Sequence, residues 1–176
     1  MSAASIGIVL SLATLIVVGA ASVAAIIQLR HLRTSNQLNA MLEIMNQWNL
    51  PAVQAALAEV RAIPAKMNDP GYVEELKRPG SIDRATYPEF LALDLWEQIG
   101  TFCKYGLVDE SILLDITVGQ VSNAWKSAEP AIALISARTG PSTFENFEYL
   151  AVRAKLWNRS HPDGAYPPRL PRMPDL

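Results

Sequence analysis

Three carboxylates lie where acid–base chemistry would want them. Asp94 and Glu97 stand three residues apart in PEFLALDLWEQIGTFCKY, and Asp115 interrupts the apolar run SILLDITV. A carboxylate facing a packed core has a raised pKa and can exchange a proton near neutrality. The same groups on a polar face, or paired with an arginine such as Arg138 or Arg153, are structural. Glu145 and Glu148 form a second pair, but they open a predicted helix, where the dipole already favours negative charge.

Other chemistries find less. His31 and His161 belong to opposite ends of the chain, with no H-E-x-x-H or C-x-x-C motif between them. The paired Glu-x-x-His motifs of a di-iron bundle are missing too. Cys103 is the only cysteine, which excludes an internal disulfide; on a strongly apolar helix it reads as a core thiol. Neither G-x-S-x-G nor a glycine-rich phosphate loop occurs. The expectation is a protein without catalytic residues, cofactor, metal or small-molecule substrate. Its 15 basic and 17 acidic side chains also argue against a nucleic-acid surface, which wants clustered cations.

The elements that position these residues begin with a charge-free stretch. None of the first 29 residues of the 176 is charged, and from Ile6 to Leu29 only Ser, Thr and Gln interrupt the apolar run. As a helix, residues 6–29 would span about 36 Å, more than the roughly 30 Å hydrocarbon core of a bilayer. A cleaved signal would need a positive amino-terminal region and a small-residue cleavage site followed by mature sequence. Here no Lys or Arg precedes the run, and the small residues near Ala21 to Ala25 lead into Ile26 and Ile27. The segment therefore reads as a retained anchor. Arg30 and Arg33 follow it directly, so the positive-inside rule puts residues 1–5 outside and the remainder in the cytoplasm. Gly19, Ala20, Val23 and Ala24 put small residues on one side of the span, a face on which another membrane helix can approach closely.

Neither Gly nor Pro occurs between Ala20 and Leu50, which predicts a helix continuing into a stalk over residues 30–50. Leu38, Met41, Leu42, Met45 and Trp48 recur at helical spacing along it. Residues 51–159 then read as a helical domain. Asp69-Pro70 starts a short helix that Pro79-Gly80 ends, and Thr86-x-x-Glu89 has capping-box spacing before a helix with Leu91, Leu95, Ile99 and Phe102 inside. Gly106 closes it in a Schellman ending, with apolar Leu107 next. Asp109 caps a helix carrying Leu114, Val118, Val121 and Trp125, which Pro130 should kink or split. Ser142-x-x-Glu145 opens a last helix with Phe144, Phe147, Leu150, Ala151 and Ala154 inside.

No run alternates as a strand would, so the fold class is all-α: a transmembrane helix, a stalk and a small antiparallel bundle. Trp48, Trp96, Trp125 and Trp157 come one per helix and read as core anchors, or as interface hot spots. Residues 160–176 form an extended, Pro-rich tail with P-x-x-P spacing at Pro168, Pro171 and Pro174. Tyr166, Leu170 and Met173 give that tail apolar groups for docking.

Residues 96–132 and 144–155 resemble a bacterial family of unknown function, made of short proteins with an amino-terminal membrane helix and a cytoplasmic helical domain. The resemblance covers about residues 88–157. It rests on Trp96-Glu97, Gly100, Gly106-Leu107, Asp115, Gly119, Trp125 and the run from Phe147 to Leu150. It implies no activity, cofactor or catalytic residue. The functional expectation is a non-catalytic, single-pass scaffold or accessory subunit in a bacterial inner membrane, partnered by another integral membrane protein or by a second copy. The alternatives are a tethered regulator of a cytoplasmic protein and, further off, an enzyme using Asp94, Glu97 or Asp115.

Overall fold

The structure, a computed structural model, describes residues 3–173. The outermost amino-terminal residues, and Pro174 of the second P-x-x-P spacing, lie outside the described residues. Among those described there are seven helices and no strand, in agreement with the all-α reading. They are α1 (Ala3–Trp48), α2 (Pro51–Val60), α3 (Ile63–Lys66), α4 (Pro70–Lys77), α5 (Glu89–Lys104), α6 (Glu110–Thr139) and α7 (Glu145–Ser160). The chain divides into two compact units, one ending at Asn39 and the other starting at Ala40.

The first unit is helix alone. Its apolar window has a mean hydropathy of 2.4, and none of that window is buried, so α1 is long and apolar enough to cross a membrane. The hydroxyls of Thr14 and Ser22 donate to the carbonyls of Leu10 and Val18, at 2.9 and 2.8 Å. These two hydroxyls thus have partners within their own helix, as an apolar solvent would favour.

The second unit begins with the last turns of α1, so the dividing point falls inside the predicted stalk. Met41 and Ile44 are buried in the core, whereas Leu42 and Met45 are exposed. Leu38, in the first unit, is exposed as well. The predicted stripe is therefore half right: Met41, Ile44 and Trp48 form the inner face.

The centre of the core is α5, which buries Phe90, Leu93, Leu95, Trp96 and Ile99. Each such side chain, once buried, contributes about 2 kcal/mol. Leu91, expected inside, is exposed, because α5 is enclosed by α7 and α2 and its buried arc runs through Phe90, Leu93 and Trp96. The aromatic centre is compact: Trp96 meets Trp48 edge to face at 4.8 Å and stacks on Phe147 at 6.0 Å, while Trp125 meets Phe147 at 5.1 Å. The short link at Asp109 does not make α5 and α6 close neighbours. Instead α6 packs on α7, α4 and α3.

Several local signals act as read. Asp69 accepts from Gly71 N–H at 2.9 Å to start α4. Asp109 accepts from the N–H groups of Ser111 and Ile112 to start α6. Gly106 ends α5 with φ of 67°, its N–H bonding Cys103 O and the next N–H bonding Phe102 O. That is the Schellman pattern. Leu107, the apolar residue expected to pack there, is exposed, and Val108 after it is buried.

Of the two outcomes expected at Pro130, the split does not occur; α6 runs through it, with buried Ala128, Ala131, Ile132 and Ile135 on either side. The Thr86–Glu89 capping box does not form: Thr86 donates to Asp83 at 2.7 Å, and Glu89 is fully buried elsewhere. The Ser142–Glu145 box also does not form. Phe144 is the residue preceding α7, in a left-handed conformation with φ of 58° and no side-chain cap.

Candidate functional site

The α7 terminus leads directly to the carboxylates. Glu97, half-buried on α5, accepts from Phe147 N–H at 2.8 Å with one oxygen, and with the other from Asn146 N–H at 3.3 Å and Asn146 Nδ2 at 2.7 Å. It supplies from another helix the cap that α7 lacks locally, and its charge lies at the positive end of the dipole. Asp94 has a different task. Both its oxygens accept from Arg84, from Nε at 2.9 Å and from Nη2 at 3.0 Å. Asp115 is exposed on α6.

The three carboxylates thus serve three separate surroundings. The arginines expected to pair with them are occupied elsewhere. Arg153 binds Glu110 at 2.6 Å, and Arg138 donates to the carbonyls of Leu76 and Gly80. Glu145 meets Lys104 at 3.4 Å. Among the described residues no three His, Cys, Asp or Glu side chains gather as a metal site. Cys103 is buried, and burial with nearby Glu110 and Asp109 pushes its thiol up to about 12, so it is held as an unreactive thiol.

One polar cluster escaped the sequence reading. Glu89 is fully buried on α5, and its Oε2 binds Lys66 Nζ at 3.0 Å; the same ammonium holds Glu59 at 2.8 Å. Burial opposes the charge of Lys66, but its bonds to Glu59 and Glu89 outweigh that and hold its pKa above the ordinary value. Beside Glu89 the buried Tyr72 hydroxyl has no partner in full hydrogen-bond geometry among the described residues, and burial, followed by the nearby Glu89 carboxylate, drives its pKa upward. The ion pairs tie α2 and α3 to α5. Glu89 was hidden because its spacing from Thr86 imitates a cap, while its true partner lies 23 residues away.

The remaining candidates are surfaces. Gly19, Ala20, Val23 and Ala24 are exposed on α1, and a side chain added at Gly19 would meet nothing within 4 Å. Arg30 and Arg33 are exposed on the same helix. In the tail, Tyr166, Leu170 and Met173 are exposed. The tail bends on itself, Tyr166 donating to Pro171 O at 2.9 Å with Arg172 4.6 Å above its ring.

An apolar patch that sequence reasoning did not foresee lies in the second unit. Met45 and Ile116 line a groove of about 80 Å³ between the end of α1 and α6, floored by Met41, Ile44 and Leu113. Leu42 and Ile112, one turn back on the two helices, extend it, and all four large side chains are between 41% and 55% exposed. The signal was present as Ile112 and Ile116 at four-residue spacing, but an apolar pair does not tell whether its cover belongs to the same chain.

Searches of curated proteins and of solved structures return no match. The comparison with protein families does: residues 15–154 match a domain of unknown function, DUF4760, over a span that takes in much of α1 as well as the helices to α7. The chain belongs to the DUF4760 family.

Proposed function

We propose that the chain is a single-pass, non-catalytic membrane protein serving as a scaffold or accessory subunit of a larger membrane complex. The observation that carries this reading is the uncovered apolar patch at Leu42, Met45, Ile112 and Ile116. Four large apolar side chains around one groove favour a protein partner over water. Residues 6–29 are the anchor, and the family match, which starts within that helix, supports its retention as part of the domain. The orientation has the amino terminus outside and the domain in the cytoplasm of a bacterium, from Arg30 and Arg33. The partner is another integral membrane protein; Gly19, Ala20, Val23 and Ala24 are the face it meets in the bilayer, and the patch is the face the second unit offers.

Native membranes solubilised in mild detergent, with the intact chain as bait, test this. One stoichiometric membrane assembly is expected, lost on Ile116→Glu while the variant still reaches the membrane. Recovery of the chain alone, or of a cytoplasmic protein at low occupancy, favours the second reading, a tethered regulator. A reporter active only in the cytoplasm, fused after the tail, tests the orientation; an inactive but well-expressed fusion refutes it.

A further inference from the structure

A cavity of about 520 Å³ opens in the second unit where the end of α1, α2, α5 and α6 meet. Its volume is within the usual range for small-molecule sites, about 300–1,000 Å³. Trp48 and Leu57 supply apolar wall, and Gln54, Gln120 and Asn123 supply amides. Arg61 is the only charged residue lining it among the described residues. The guanidinium is exposed, and no carboxylate among the described residues pairs with it.

Two features mark this cavity as more than a surface fold. Trp96 lines it and is fully buried, yet its Nε1–H has no acceptor among the described residues. A buried donor without an acceptor is uncommon in a folded core. Gly119 lines the cavity from α6, and a β-carbon added there meets nothing within 4 Å, so the wall is left open where a larger residue would fill it.

We propose that this cavity binds a small organic carboxylate with an apolar body. The carboxylate pairs with Arg61, which recognises planar anions in a two-pronged fashion. The body lies against Trp48 and Leu57. Trp96 lines the same cavity, so its indole signal reports a bound molecule. Among the described residues no acidic side chain lines the site to oppose an anion. Because Trp48 is the last residue of α1, a bound molecule would touch the end of that helix directly.

The test uses the full chain in nanodiscs of zwitterionic lipid, with its tryptophan indoles labelled with ¹⁵N and assigned through Trp48→Phe, Trp125→Phe and Trp157→Phe. Phenylacetate, phenylpropionate and phenylbutyrate are titrated, with phenethyl alcohol as the neutral counterpart. At least one acid is expected to shift the Trp96 and Trp48 indole signals saturably. Arg61→Gln and the neutral alcohol should each weaken binding about tenfold or more, and Gly119→Leu should abolish it. Both substitutions lie at open positions, so the fold is retained. Absence of any saturable shift up to about 10 mM, an affinity too weak for a built site, overturns the proposal. So does a shift that survives both substitutions. A shift lost in Gly119→Leu but unchanged in Arg61→Gln overturns the assignment of an anion.

Discussion

Glu97 on α5 holds the amino terminus of α7 by accepting the Phe147 N–H at 2.8 Å. The two residues are 50 apart in sequence. Next to this cap, Gly100 lies so close to the backbone of Asn146 that no β-carbon fits between them. The α5–α7 pair is therefore fastened by a carboxylate cap and by close backbone approach within one turn.

Glu97→Ala should destabilise the protein by about 2–3 kcal/mol, because three amide donors lose a charged acceptor in a half-buried setting. Glu97→Gln should cost less, as it keeps an acceptor but not the charge. Urea unfolding of the full chain in detergent, followed by circular dichroism, measures both. Equal losses would mean that charge contributes nothing to the cap.

Gly100→Ala and Gly119→Ala make a pair with opposite signs. Both glycines are inside helices, where alanine is intrinsically better by about 0.5–1 kcal/mol. At Gly119 the space is open, and the variant should gain about that much. At Gly100 the methyl group meets the Asn146 carbonyl, and separating α5 from α7 should cost about 2–3 kcal/mol. Thermal melts of the two variants side by side decide the matter. A Gly100→Ala protein as stable as the parent would refute the close approach.

The Lys66–Glu89 pair should behave as a buried pair does. Lys66→Met leaves Glu89 buried and uncompensated, at about 3 kcal/mol, whereas Lys66→Met with Glu89→Leu should recover most of the loss. Lys66 is held charged above its ordinary value of 10.5. Its contribution is thus complete below that pH and fades as pH rises through the higher folded value. Stability of parent and Lys66→Met should differ by a constant amount from pH 7 to about 10 and converge above it. A difference that fails to shrink in alkali would exclude the ion pair as its source.

Cys103 should resist modification until the chain unfolds. With burial pushing the thiol up to about 12, little thiolate exists at pH 8. Labelling by a maleimide should be at least about a hundredfold slower in the folded chain than in urea. Fast labelling of the folded chain would place the thiol at the surface.

Much of this protein was legible in the chain by itself. The apolar helix, the break at Asn49 to Pro51, the caps at Asp69 and Asp109 and the Schellman turn at Gly106 each depend on residues within a few positions of one another. Periodicity, capping and turn chemistry act at that range, so sequence displays them directly. The two capping boxes that did not form show where such signals end. Ser142 and Glu145 had the right spacing, but the chain turns through Phe144 instead, and the amides of Asn146 and Phe147 that then open α7 are bound by a carboxylate from α5.

Tertiary structure decided which carboxylate does what. Nothing within a turn of Asp94, Glu97 or Glu89 distinguishes them, since all three lie on one apolar helix. Their partners, Arg84, the amides of α7 and Lys66, come from segments whose proximity depends on how the helices pack. The same holds for Leu42, Met45, Ile112 and Ile116. Their hydrophobicity was written in the sequence, but only packing determined that this chain leaves them uncovered. Hydrophobic periodicity reports that a face is to be hidden from water, and the three-dimensional arrangement determines what hides it.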